Sequence, residues 1–232
     1  MIRALLASTA FLLIASPALA DDVHPTLSLS ATADVQVTPD YATVRSGVVS
    51  RAATAQQAMQ DNTNAMTAVF DALRRAGITG NDVQTSQLSV TPVYADRTEP
   101  RQAQNQYEII AYETRNTVSA KVRDTTRVGN VIDAMVSAGA NNIQDVSFGA
   151  EDTTTAMDQA RRDAIAELLA RADLFADAAG FELCGITRMS EDFARSPQPM
   201  MMARMESAST PVAAGQLSIS ATVNADFCIA AD

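Results

Sequence analysis

Four methionines stand almost in succession, Met200, Met201, Met202 and Met205. Thioethers are soft ligands suited to Cu(I), and they are also oxidisable. The plainer reading is a pliable apolar loop that packs on a neighbouring subunit. That reading is favoured because no His or Cys co-ligand stands in the same loop. His24 is the only histidine. A metal site or a catalytic dyad needs rigid partners, and a chain terminus supplies none, so His24 is read as part of the tail. The acidic pairs Glu151-Asp152 and Glu191-Asp192 sit at the ends of elements, where solvated turn acids are the ordinary occupants. There is no G-x-S-x-G, no Cys–His pairing, no phosphate-binding glycine loop and no metal-spaced Cys/His set. The sequence therefore nominates no catalytic residue and no cofactor. Cys184 and Cys228, the only cysteines, form an even pair that becomes a disulfide in an oxidising compartment. Two unpaired buried thiols are the alternative.

The elements that would carry these residues are legible from periodicity. Leu27, Leu29, Ala31, Ala33, Val35 and Val37 alternate with polar residues, the period of a half-buried strand. Thr38-Pro39-Asp40 is turn chemistry, and Ala42, Val44 and Val48 then suggest a second strand folded back on the first as a hairpin. Thr54-Ala55-Gln56-Gln57 has capping-box spacing and opens a helix striped by Met59, Met66, Val69, Phe70 and Leu73, which ends at Gly77. Val83–Tyr94 is a strand whose Leu88, Val90, Pro92 and Tyr94 share one register. Pro92 has no amide donor, so it marks an edge or a bulge. Asp96–Gln106 is an exposed loop, and Tyr107–Arg123 a long strand.

Asp124 is placed to cap a helix over Thr125–Ala138, with Val128, Val131, Ile132, Met135 and Val136 as its stripe. Gly139-Ala140-Asn141-Asn142 turns the corner into the strand Ile143–Gly149. A third helix runs from Thr155 to Gly180, with an inner face of Ala156, Ala160, Ala164, Leu168, Ala172, Phe175 and Ala179. Side chains that small let it lie tight on a sheet. Leu183–Glu191 and Leu217–Ile229 are the last strands, and Phe193–Gly215 is a mobile Met/Pro-rich excursion between them. If these two strands pair, Cys184 and Cys228 meet at the open end of the hairpin. The order is ββα-ββα-βα-ββ, an α+β, two-layer sandwich with split βαβ packing and three helices on one face of a mainly antiparallel sheet.

Composition sets the compartment and excludes some partners. Arg3, the apolar run Ala4–Ser16 and Ala18-Leu19-Ala20 make residues 1–20 a cleavable signal peptide, with a retained N-terminal anchor as the rival. The remaining 21–232 are expected to form a single domain in a bacterial periplasm, without a transmembrane segment. The formal net charge of −10 grows by one unit when Arg3 leaves, and such a surface repels nucleic acid and anionic lipid. Only 19% of the residues are charged and 47% are hydrophobic, the balance of an ordered protein.

Several pieces resemble the SIMPL-domain family. They are Val37-Thr38-Pro39-Asp40-Tyr41-Ala42, Gly77-Ile78 with Asp82-Val83-Gln84-Thr85, and Pro92-Val93-Tyr94. Tyr112-Glu113-Thr114-Arg115-Asn116-Thr117-Val118 and Val122-Arg123-Asp124 continue the likeness. It extends through Ile132-Asp133, Gly139-Ala140-Asn141-Asn142-Ile143, Phe148 and Ala160-Arg161-Arg162-Asp163-Ala164-Ile165. The chain departs from the family pattern at Cys184, where a glycine commonly follows the leucine. The resemblance implies an exported bacterial protein, described in the family as a periplasmic immunogenic or oxidative-stress-defence protein. It implies for some members a large ring-like oligomer, and it carries over no catalytic residue. The expected function is thus non-enzymatic, a homo-oligomer acting through self-assembly in envelope or oxidative-stress defence. The alternative is a monomeric binding module for a cell-envelope partner, using a Ser/Thr/Arg-rich sheet face or the Asp96–Gln106 loop, and behind it stand copper binding by the Met loop and an enzyme with an unrecognised site.

Overall fold

A computed structural model describes residues 25–95, 108–192, 198–200 and 210–230. The expected signal peptide, His24, the expected loop Asp96–Gln106 and Met201, Met202 and Met205 lie outside the described residues. The elements run β1 (Thr26–Val37), β2 (Tyr41–Ala52), α1 (Ala55–Arg75), β3 (Val83–Tyr94), β4 (Ile109–Val122), α2 (Val128–Ser137), β5 (Asn142–Gly149), α3 (Thr154–Ala179), β6 (Leu183–Asp192), β7 (Gln198–Met200) and β8 (Gln216–Ile229). The α+β class and the order of elements agree with the sequence.

The strands form two four-stranded antiparallel sheets, where the sequence suggested one. The first has the order β3-β4-β2-β5, and the second the order β1-β8-β6 with β7 also on β8. In the first sheet, β2 and β3 flank β4, and β4 and β5 flank β2. The units β2–α1–β3 and β4–α2–β5 are therefore both split βαβ units. The third strand–helix–strand unit, β5–α3–β6, passes from the first sheet to the second.

The expected β1–β2 hairpin does not form. β1 pairs with β8 along its whole length, and β2 pairs with β4 and β5. The turn explains the divergence. The Asp40 amide donates to the Gly149 carbonyl at 3.0 Å, and the Asp40 carboxylate accepts from the Glu151 amide. Thr38–Asp40 is thus tied to the β5–α3 link, and the chain leaves one sheet for the other. The β1–β8 register then sets like against like. Leu27 faces Phe227, Ala31 faces Val223 and Val35 faces Ile219, while Ser28 faces Asp226 and Thr32 faces Thr222 on the reverse side. Hydrogen bonds knit that polar side, Ser28 to Asp226 at 2.6 Å and Thr32 to Thr222 at 2.9 Å, with Ser220 on Asp34.

Each sheet has its own apolar core. Under α1 and α2 lie Val44, Val69, Leu73, Val118, Val128 and Met135. Thr54 caps α1 as expected, accepting from the Gln57 amide at 3.2 Å. Asp124 accepts from the Thr126 amide at 3.0 Å, although its residues Thr125–Arg127 make a 3-10 turn before α2. Val136, assigned to the α2 stripe, is 48% exposed. On the second sheet α3 buries Ala160, Ala164, Leu168, Ala172 and Ala176. That line steps by four residues throughout, so Phe175 and Ala179 fall off it, and Phe175 is 49% exposed. Complete burial of a leucine such as Leu73 or Leu168 contributes about 1.5–3 kcal/mol.

The corner after α2 does more than turn. Asn141 accepts from the Val49 amide and donates to the Val49 carbonyl, both at 2.8 Å, so its side chain extends the sheet by one rung. The Phe193–Gly215 excursion is in part structured. Gln198–Met200 pairs with Gln216–Ser218, Thr210 donates to Asp133 at 2.7 Å, and Val212 packs on the first core.

Candidate interaction surface

The apolar surface that α1 leaves open lies on β3 and the start of β4. α1 rests over β2 and β4, and β3 is the outer strand. Leu88 pairs with the half-buried Asn116 and Val90 with the buried Thr114, so both share the register of the side of β4 that α1 covers. They are nevertheless 56% and 36% exposed, and Tyr94, Ile109 and Ile110 extend the patch at the far end of the same two strands. This is a contiguous apolar surface on two paired strands rather than scattered single residues, which marks it as a contact surface.

A buried polar group borders the patch. Asn62 of α1 is fully buried and donates to the Val48 carbonyl at 2.9 Å and the Thr114 carbonyl at 3.3 Å. The oxygens Asn62 Oδ1, Thr114 Oγ1 and Asn116 Oδ1 are buried and unpartnered. A buried hydroxyl without a partner costs about 1–3 kcal/mol of desolvation. Thr114→Val keeps the shape and removes that hydroxyl, so it is expected to raise stability by about 1 kcal/mol in urea unfolding. A loss of stability instead would show that the hydroxyl is bonded.

The opposite face and end of this sheet are charged, and most of those charges pair with one another. Glu113 bridges Arg51 at 3.0 Å and Arg115 at 3.2 Å. Arg123 makes two bonds to Asp82, at 3.0 and 2.8 Å, and one to Glu151 at 2.9 Å. Lys121 reaches Glu151 at 2.7 Å and stands 3.9 Å from the centre of the Tyr41 ring. The hydrogen bond from Arg123 holds the Asp82 carboxyl below the usual carboxylate range, and the bond to Arg51 does the same first for Glu113. Lys121 is the main cause of the lowered Glu151, and Asp82 of the raised Arg123. Lowered acids and a raised base stay charged near neutrality, the opposite of what proton transfer requires. A shallow pocket of about 140 Å³ lies here between Ile78, Asp82, Arg123 and Arg127. Its polar groups are already engaged, for Arg127 donates to the Ala76 carbonyl at 2.9 Å and Arg123 is held by Asp82.

The residues singled out by type do not converge on one place. Glu151 belongs to the ion network, and Asp152 caps α3 by accepting from the Thr154 amide at 2.8 Å. Glu191 receives Arg161 at 2.9 Å. Among the described residues no group of three or more His, Cys, Asp or Glu side chains could hold a metal ion. Met200 closes β7, while its fellow methionines lie outside the described residues. Cys184 and Cys228 are joined by a disulfide between β6 and β8, with their Cα atoms 5.3 Å apart. The apolar patch was the feature that residue type missed. Its signal was the strand Val83–Tyr94 itself, which carries no charged side chain and contains Pro92. Among the described residues no helix is long and apolar enough to cross a membrane.

Comparison with known proteins bears on the whole of this arrangement. A family model described as SIMPL, protein of unknown function (DUF541), matches residues 27–227. The chain is 34% identical over 200 residues to the 26 kDa periplasmic immunogenic protein of Brucella melitensis, covering 82% of this chain and 78% of the relative. A protein of the same name from Brucella abortus matches equally, at 34% over 200 residues with the same coverage. The uncharacterized protein YggE of Edwardsiella ictaluri is 26% identical over 193 residues, covering 82% of this chain and 79% of that protein. The matched span runs from β1 to β8 and so takes in both sheets and all of the interaction surface; the chain belongs to the SIMPL family.

Proposed function

We propose that this is a non-enzymatic periplasmic protein that acts through self-assembly, in envelope or oxidative-stress defence. The observation that carries the reading is the exposed apolar patch of Leu88, Val90, Tyr94, Ile109 and Ile110 on the edge strand β3 and the start of its neighbour β4. The periplasmic names of the Brucella relatives support the location, and Arg3, the apolar run Ala4–Ser16 and Ala18-Leu19-Ala20 support export. The internally neutralised charges around Arg123 and Glu113 favour a structural role for those groups. Native mass measurement and light scattering of the chain beginning at Asp21 test the reading. A mass above that of one chain, growing with concentration, is expected; a clean monomer at high concentration overturns it.

A second reading rests on the other face of the same sheet. Arg45 stands exposed there, outside the Glu113 and Arg123 ion pairs, in an otherwise acidic chain, which favours a monomeric binding module for an acidic partner in the envelope. A monomeric mass together with salt-sensitive retention on a polyanionic resin, lost in Arg45→Glu, is the outcome that would favour this second function.

A further inference from the structure

We propose that the open edge of β3 pairs with the same edge of a second copy, antiparallel about a two-fold axis through Ser89. This rests on the self-assembly reading and names its contact.

Among the described residues β3 hydrogen-bonds to β4 alone, so its other side is an edge whose outward N–H and C=O groups have no strand partner there. The register with β4 shifts between Thr85 and Gln87, and Pro92 lacks a donor. The uninterrupted edge between these two features is Gln87-Leu88-Ser89-Val90-Thr91. This run has the same chemical pattern in both directions about Ser89. Antiparallel pairing centred there sets Leu88 against Val90 of the other copy, Gln87 against Thr91, and Ser89 against itself. Leu88 and Val90 point to the helix-covered side, in register with Asn116 and Thr114. A two-fold axis perpendicular to the sheet keeps that side common to both copies. The two apolar patches then meet on one face, and the polar Gln87, Ser89 and Thr91 meet on the other.

Charge identifies the partner as a second copy. At a net charge of −10 two copies repel wherever acidic surfaces meet. Among the described edge strands longer than three residues, β3 alone has no charged residue from Val83 to Tyr94, and β7 is only Gln198–Met200 with Pro199 at its centre. The other edges carry the devices that discourage pairing. β1 has Asp34 and an outward carbonyl, that of Ser30, taken by Arg171 at 3.1 Å. β5 has Asp145 and a register shift opposite Arg45 and Ser46. β6 has Arg188, Glu191 and Asp192. An isologous contact also requires a surface complementary to itself, which the run about Ser89 satisfies.

The test uses the chain from Asp21 and reads its mass by sedimentation velocity across a concentration series. Ser89→Lys sets two ammonium groups opposite each other at the dyad, and at least about a tenfold rise in the dimer dissociation constant is expected. An equimolar mixture of Ser89→Lys and Ser89→Glu places opposite charges there and is expected to recover the dimer. Ser89→Cys adds a measurement that does not depend on destabilising anything. Mild oxidation is expected to give a covalent dimer on a non-reducing gel, whereas Ser119→Cys, on β4 away from the edge, is expected to give none. If the native chain assembles but Ser89→Lys leaves its mass unchanged, or the mixture fails to recover the dimer, edge pairing is overturned while self-assembly stands. A native chain that is monomeric throughout overturns both.

Discussion

Replacing both cysteines, Cys184→Ala with Cys228→Ala, is expected to lower the unfolding free energy by about 4 kcal/mol. The bond joins residues 44 apart in sequence, and the chain-entropy model gives that figure for closing a loop of this length. The closed segment includes the Pro- and Met-rich stretch after β6, so in the reduced chain much of the lost freedom returns. Urea unfolding of the oxidised protein against the double variant measures it, with far-ultraviolet dichroism confirming that both begin folded. The second sheet should be the part that loosens, because among the described residues β8 is the one strand that β6 pairs with. A loss below about 1 kcal/mol would mean that strand pairing and the α3 core hold β6 without the bond.

Gly47→Ala is expected to cost about 3 kcal/mol, at the upper end of the usual penalty for overpacking. Gly47 lies on β2, an inner strand with β4 on one side and β5 on the other. A Cβ at this position collides with the Asn116 carbonyl oxygen and stands 2.9 Å from the Thr117 Cα. Backbone of a central strand cannot swing away as the end of a side chain can, so the β2–β4 ladder itself must open. Gly149→Ala is the informative contrast. There the obstacle is the Tyr41 ring, with Cε1 at 2.8 Å, which can rotate aside at a smaller cost. Thermal unfolding of the two variants side by side checks the ranking. Equal and small losses would show that the β2–β4 spacing relaxes easily.

Much of the fold was legible because local rules and the tertiary structure agree. The apolar alternation of β1 and β8, the Thr54 cap and most of the small-residue line of α3 appear in place, while Asp124 caps the 3-10 turn before α2 rather than α2 itself. The split βαβ units followed from the order of elements, and the meeting of Cys184 with Cys228 followed from pairing β6 with β8. The misassigned residues share one cause. Phe175 and Val136 lie on faces that periodicity marks as inward, but periodicity gives an angle about the helix axis and not the width of the surface beneath it. The β1–β2 hairpin failed for a related reason. Thr38-Pro39-Asp40 suits a tight reversal, yet Asp40 spends its carboxylate on the Glu151 amide, more than a hundred residues away.

The interaction surface divides along the same line. From its residues alone, Val83–Tyr94 is a strand without charge, interrupted by Pro92, with Leu88 and Val90 on one side. Those properties are local, set by side-chain type and the two-residue period of a strand. Whether Leu88 and Val90 are core or surface is not local. It depends on where α1 comes to rest, and α1 is placed by Met66, Val69 and Leu73 settling over β2 and β4 and by Asn62 bonding to both strands. Nothing within β3 encodes that footprint. The sequence by itself determined the elements, most of their apolar faces and the neutrality of one strand. Only the tertiary structure decided that the strands divide into two sheets, that the neutral strand lies at an edge, and that its apolar side is left uncovered. Burial is a property of contacts between segments far apart in the chain, and those contacts exist only once the sheets have formed.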